Sequence, residues 1–249
     1  MGRDTVRIKE AFPLSTVAGL LERLSVPAGR FDASGSWSAN YGIFGILAGP
    51  VQSGRLRLHR KAGDAVALRV SVERHQPGGY IQRVAGRLSC RADELSTPTQ
   101  WRFEAQLLAA DSKPLAGTRI EKTAVVRDGA LLIKDGAADK RIALPRAYTL
   151  NWALFDAAGR LPRRAFKPIE FDLIDDFDRL KGGQVLSYRT SQTVAVGGRK
   201  VRLHAFDHLG RGILPWVYFV DDRGLLVLAV GGLAAYGLLA AEQEKGSTA

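Results

Sequence analysis

One cysteine, Cys90, is all the chain has. A lone thiol excludes an intrachain disulfide, a cysteine-based metal site and a Cys-x-x-Cys redox pair. Catalytic signatures are missing as well: the sequence has no Gly-x-Ser-x-Gly elbow, no Walker loop, no Rossmann glycine fingerprint and no His-Glu-x-x-His. The opening Met1-Gly2-Arg3-Asp4-Thr5-Val6 lacks the apolar core of a signal peptide, and Val6 stands where a myristoylation motif carries Ser or Thr. The expected location is the cytoplasm, or the periplasm if an export signal precedes Met1 in the natural protein. Acidic residues are in the minority, 25 Asp and Glu against 36 Lys and Arg, which leaves +11 at pH 7. Such an excess favours acidic partners. The basic residues are nevertheless spread along the chain without a polybasic run, so a nucleic-acid partner is not expected.

What the chain does have is apolar bulk. Hydrophobic residues make up 46% and charged residues 24%, enough for a core and far from the composition of disorder. A length of 249 residues is within reach of an undivided all-β protein, and a single domain over 1–249 is expected. Residues 224–241 carry no charge, at the lower limit for a membrane-spanning helix. Gly231-Gly232 divides them, so the reading is a buried strand over 225–230 and a separate short element over 233–241.

Residues 1–30 read as an N-terminal helical segment: Leu14, Val17, Leu20, Leu21 and Leu24 recur at helical spacing behind a Ser15 cap, with Pro27 and Gly29 as the stop. Residues 32–54 are rich in Gly and Ser, with Trp37, Tyr41 and Phe44 between them, and predict a loop or a bulged strand. From Arg55 the period becomes two. Leu56 and Leu58, then Val66, Leu68, Val70 and Val72, then Trp101, Phe103, Ala105 and Leu107 alternate with polar neighbours, as strands with one wet face do. Asp128-Gly129 and Gly197-Gly198 are two-residue hairpin signals, and 221–224 is a third turn.

Two short helices are predicted as interruptions: 152–158, with Asn151 as cap and Gly159 as stop, and 175–181, stopped by Gly182-Gly183. The fold class expected is mainly β: a β meander over 55–236 with a helical insertion near 151–181. It would form a large curved antiparallel sheet or open barrel, a β-clam. The N-terminal helix and the insertion are the candidates to pack inside as a plug, and whatever they leave uncovered becomes a pocket.

From Trp101 to Tyr236 runs a loose pattern of Asn151-Trp152-Ala153-Leu154-Phe155-Asp156, Phe171-Asp172-Leu173 and Tyr188-Arg189. It continues with Val201-Arg202-Leu203-His204, Gly212-Ile213-Leu214-Pro215-Trp216 and Tyr218-Phe219-Val220-Asp221. In this the chain resembles uncharacterised bacterial exported proteins of the long β-clam type, similar in architecture to lipoprotein carriers of the cell envelope. The resemblance implies an envelope location and an apolar concave face for lipid-like ligands. It implies no catalytic residues.

Among chemistry-bearing residues, His204 and His208 share one face of a strand but lie too far apart along it to ligate one metal, so no metal site is expected. Asp172, Asp175, Asp176 and Asp178 form the densest acidic cluster, read as the acidic start of the helix at 175. Arg83, Arg87 and Arg91 share a strand face, flanked by Arg55, Arg57 and Arg69. They suit either an anionic head group or cross-strand pairing with Glu73, Glu104 or Glu121. Cys90 reads as a buried inert thiol.

The expected function is non-enzymatic holding of an apolar or amphipathic small molecule, lined by Trp101, Phe103, Trp152, Phe155, Trp216 and Tyr218, with Arg at the rim and no cofactor. The alternative is a hydrolase or lyase using His204, Asp207, His208 and the acids of 172–178. A third class is a structural or interaction module with an envelope protein partner at an exposed sheet edge.

Overall fold

Side chains that alternate along a strand give it two faces, and here the strands join edge to edge into one sheet of 15. The computed structural model describes residues 14–46, 51–136, 138–144, 147–163, 167–175 and 177–244. A 3₁₀ turn, Leu14–Val17, runs into helix α1, Ala18–Leu21. Then follow β1 (Trp37–Gly45), β2 (Gln52–Lys61), β3 (Val66–His75), β4 (Ile81–Cys90) and β5 (Pro98–Leu108). Next are β6 (Ile120–Arg127), β7 (Ala130–Asp135), β8 (Ala138–Ala143) and β9 (Tyr148–Leu150), and after these helix α2 (Ala153–Arg160). The remaining strands are β10 (Ile169–Asp175), β11 (Arg179–Val196), β12 (Arg199–Gly210), β13 (Trp216–Asp221), β14 (Leu226–Gly231) and β15 (Ala234–Gln243).

The spatial order is β8-β7-β6-β5-β4-β3-β2-β1-β15-β14-β13-β12-β11-β10-β9. Two meanders therefore run outward from a central β1–β15 pair, and β8 and β9, neighbours in sequence, are the two edges. Neighbouring strands pair antiparallel except β9 and β10, which are parallel. The sheet curls until its two halves meet through side chains. Tyr148 Oη donates to the Pro98 carbonyl at 3.1 Å, Thr149 Oγ1 to the Leu95 carbonyl at 2.7 Å, and Lys122 Nζ pairs with Asp178 at 2.6 Å. This is the mainly β, curved, open-barrel architecture expected.

Turn chemistry worked as read. Asp128 (φ 49°) and Gly129 (φ 67°) close β6–β7, and Gly197 (φ 54°) with Gly198 (φ 76°) closes β11–β12, the positive φ at both positions matching a type I′ turn. The Gly- and Ser-rich stretch forms β1, bulged between Asn40 and Tyr41, and the start of β2. Gly49 and Pro50 lie outside the described residues. The uncharged run over 224–241 supplies β14 and β15, and among the described residues no helix is long and apolar enough to cross a membrane.

Four expectations are corrected. The helix expected over 175–181 is absent: Asp175 pairs with Arg179 across a tight turn between β10 and β11, with Phe177 at φ 69°. Its Asp-rich start resembles a helix N-terminus, but apolar Phe171, Leu173 and Ile174 are buried in the sheet and hold the segment extended. Gly159 does not stop α2, which continues to Arg160 and ends at extended Leu161. Nor does Asn151 cap it: Trp152 holds the N-cap position, and the Asn151 Oδ1 accepts from the adjacent Trp152 N–H at 2.9 Å.

Lastly, of the N-terminal segment expected over 1–30, residues 1–13 lie outside the described residues, the described part is helical only over 14–21, and that part is not a plug. Leu24 packs on Gly237, Gly197 N–H donates to the Leu21 carbonyl, and Leu14 lines a pocket with Leu203, Ala205 and Phe219 on the face of the sheet opposite α2. Ser15 is exposed and caps nothing in α1. With α2 on one face and this segment on the other, β13 and β14 are buried on both sides, which is why their sequences run continuously apolar.

Candidate functional site

The face of the sheet covered by α2 is termed the inner face. Phe155, on α2, meets Tyr41, Trp216, Tyr218 and Tyr236 edge-on at ring separations of 5.3–6.3 Å. Trp152 lies 5.7 Å from Phe155 and 6.2 Å from Tyr236, while Trp216 stacks on both Tyr218 and Tyr236. Trp216 also lies over its cross-strand partner Gly231, where a Cβ would come within 2.0 Å of the indole, so that glycine makes room for the ring. Beside this cluster opens a cleft of about 470 Å³, walled by Trp152, Phe155, Trp216, Tyr218 and Tyr236.

Helix α2 is held over the cleft by buried charge. Asp156 Oδ1 lies 2.8 Å from Arg60 Nε, its Oδ2 lies 3.0 Å from Arg160 Nη2, and Ser96 Oγ donates to Oδ2 at 2.5 Å. The Arg60 and Asp156 side chains are 3% and 1% exposed. The spare donors of the two guanidinium groups reach the carbonyls of Ser34, Gly35 and Asp93.

Polar groups enter the cleft from several strands. Lys181 pairs with Asp175 at 2.5 Å. His208 is buried beneath Tyr218, and burial pushes its pKa down to about 4 against the opposing pull of Asp175. Gln184 Nε2 donates to the carbonyls of Lys181, Gly182 and Arg211, which turns its Oε1 toward His208 Nε2 at 3.2 Å. That assigns the ring proton to Nε2, and Nδ1 has no partner among the described residues. From β3, Arg74 donates to Tyr236 Oη and stands 5.6 Å above that ring.

Of the six lining residues predicted from sequence, the fold brings four together: Trp152, Phe155, Trp216 and Tyr218. Trp101 and Phe103 are buried in β5 and do not line the cleft; Phe103 fills the space over Gly86 and stands behind the cleft wall, stacking on the lining residue Phe177 at 3.8 Å. Tyr236, Arg74 and Phe177 were missed. Arg74 was signalled, because the inward alternation of Val66, Leu68, Val70 and Val72 continues onto it. Phe177 was hidden by the helix expected there.

Of the residues of the enzymatic alternative, His208 and Asp175 share the cleft, and the other described ones lie apart from it. His204 sits opposite Val220, with Tyr188 Oη 3.3 Å from Nδ1 and Asp222 Oδ1 2.8 Å from Nε2. His208 sits four residues on, opposite Trp216. Asp207 faces the other way and chelates Arg189, Asp172 accepts from Gly183 N–H, and Asp178 pairs with Lys122. Asp176 lies outside the described residues. Among the described residues no three His, Cys, Asp or Glu side chains are placed to share a metal ion.

Nor do the predicted arginines line the cleft rim: Arg83 and Arg87 project from the opposite, outer face of β4, and Arg83 pairs with Glu73 at 3.2 Å. Arg91 pairs with Asp93 at 3.3 Å. Cys90 is buried, and burial raises its thiol pKa, in keeping with an inert thiol.

No protein-family model matches the chain, and no curated protein matches it in sequence. Among solved structures it is similar to the crystal structure of a beta-barrel-like protein of a domain of unknown function, DUF1849, from Brucella abortus. The TM-score is 0.57 and the identity 12%, over 85% of this chain and 99% of that one. At that identity the likeness shows the fold alone: a mainly β, barrel-like curved sheet.

Proposed function

We propose that this protein is a non-enzymatic β-clam that holds an apolar or amphipathic small molecule in the cleft between α2 and the inner face of the sheet. The observation that carries the reading is the convergence of Trp152, Phe155, Trp216, Tyr218 and Tyr236 on one cleft of about 470 Å³. Small-molecule sites are concave, mainly aromatic or aliphatic, and roughly 300–1,000 Å³ in volume, with a few polar groups for orientation. Trp152 is the wall residue best suited to contact a ligand, being only half-buried and having an indole N–H with no acceptor among the described residues. A lipid-like ligand and an envelope location belong to the same proposal.

Native mass spectrometry of protein purified without detergent, followed by denaturation and identification of released molecules, tests it. An apolar or amphipathic molecule is expected, and Trp152→Ala should reduce its retention while circular dichroism stays that of the parent. Full retention in Trp152→Ala and also in Phe155→Ala would overturn the site.

A further inference from the structure

The cleft is unevenly charged. Among the described residues two cations and one anion line it: Lys181 and Asp175 neutralise each other, His208 is neutral near pH 7, and the guanidinium of Arg74 has no carboxylate partner there. Arg74 is not a solvated surface arginine. Position 74 belongs to the inward face of β3, the side chain is half-buried, and burial lowers its pKa. One of its two Nη2 hydrogens goes to the Tyr236 hydroxyl, which leaves the other together with Nη1, and its Nε is buried without an acceptor among the described residues. A half-buried cation with an unused donor and no counter-ion is costly unless an anion completes it. A guanidinium also presents its donors as a planar fork that fits a carboxylate better than any neutral head group.

We propose that the cleft selects amphipathic anions, an apolar body against Trp152, Trp216 and Tyr236 and a carboxylate on Arg74. Arg74 is then the head-group residue, and Tyr236 the residue that fixes its orientation. The inference rests on the cleft reading above and adds the charge of the ligand to it.

The test uses two matched probes, dodecanoate and dodecanol, titrated at pH 8 into the full chain purified free of bound molecules and followed by isothermal calorimetry. The parent should bind dodecanoate about tenfold or more tightly than dodecanol. Arg74→Met should lose that preference while keeping its affinity for dodecanol, which also reports that the cleft is still formed. Arg74→Lys, which keeps the charge without the fork, should recover part of the preference.

Equal binding of both probes by the parent would overturn the head-group assignment and leave the cleft reading standing. Binding of neither probe would overturn both. A dodecanoate preference that survives in Arg74→Met would overturn the role of Arg74.

Discussion

His208 shows how a single buried side chain ties this fold to pH. Its folded pKa of about 4 lies below the ordinary histidine value near 6.5, because burial beneath Tyr218 disfavours the charged ring. The unfolded chain therefore takes up a proton across a window in which the folded chain does not. The associated stability is complete above about pH 6.5 and falls as the pH drops toward 4, by up to about 3 kcal/mol. Urea titrations between pH 7 and 4.5 should show this slope in the parent and a shallower one, by nearly one proton, in His208→Gln. Equal slopes would mean that the ring is hydrated and titrates normally.

Residue-scale chemistry was only partly legible in the sequence. Large aromatics announce themselves, so Trp152, Phe155, Trp216 and Tyr218 could be nominated; which of six would converge depended on the curl of the sheet. Asp156 gave no signal at all. Its partners Arg60 and Ser96 lie 96 and 60 residues upstream, and only the folded chain puts a carboxylate between the buried guanidinium of Arg60 and the partly buried one of Arg160.

At the scale of elements, α2 is the piece on which the site depends, and Gly159 decides how closely it docks. By helix propensity alone, alanine at that position would stabilise by about 1 kcal/mol. Contact reverses the sign. A Cβ on Gly159 would come within 2.2 Å of the Gly224 carbonyl oxygen, and one on Gly224 within 2.3 Å of the Gly159 carbonyl oxygen. Both obstacles are backbone and cannot swing aside. Gly159→Ala should therefore destabilise by about 1–3 kcal/mol and weaken ligand retention by lifting α2 from the turn between β13 and β14. Denaturant midpoints check the first effect; a stabilised variant would show that α2 slides at no cost.

The same glycine misled the sequence reading, which took it for a helix stop. A glycine needed for close approach and one needed for a left-handed turn look alike until the opposing backbone is known. The helix expected over 175–181 failed for a related reason: acidic residues favour a helix N-terminus locally, but burial of Phe171, Leu173 and Ile174 holds the preceding segment as β10. Strands with one wet face and two-residue turns were legible because alternation and positive φ are local demands. The facing of the N-terminal segment was not, since an apolar stripe states that it is covered and never by which face.

For the whole molecule, the excess of basic charge was countable from composition, while its placement required the register. Across the outer face, His59, Arg69, Arg87 and Arg102 stand directly opposite one another on β2, β3, β4 and β5. Arg102 is relieved by Glu121 at 2.9 Å, but Arg69 and Arg87 form no ion pair among the described residues, and both are exposed. Like charges directly across neighbouring strands destabilise by a few tenths to about 1 kcal/mol, and the net +11 adds a diffuse repulsion of the same sign.

Arg87→Thr removes the cation flanked on both sides and places a β-branched residue in mid-strand. It should raise Tm by about 2–4 °C at low ionic strength. Arg87→Glu, which can pair with Arg69 or Arg102, should raise it at least as far. Both gains should shrink as salt is added, because exposed charges a few ångströms apart are screened once the Debye length falls toward about 3 Å near 1 M. Thermal melts of the three proteins at low and high salt separate the contributions. A gain that persists in high salt belongs to strand propensity, one that disappears belongs to the arginine row, and no gain at low salt would show that the row is accommodated without strain.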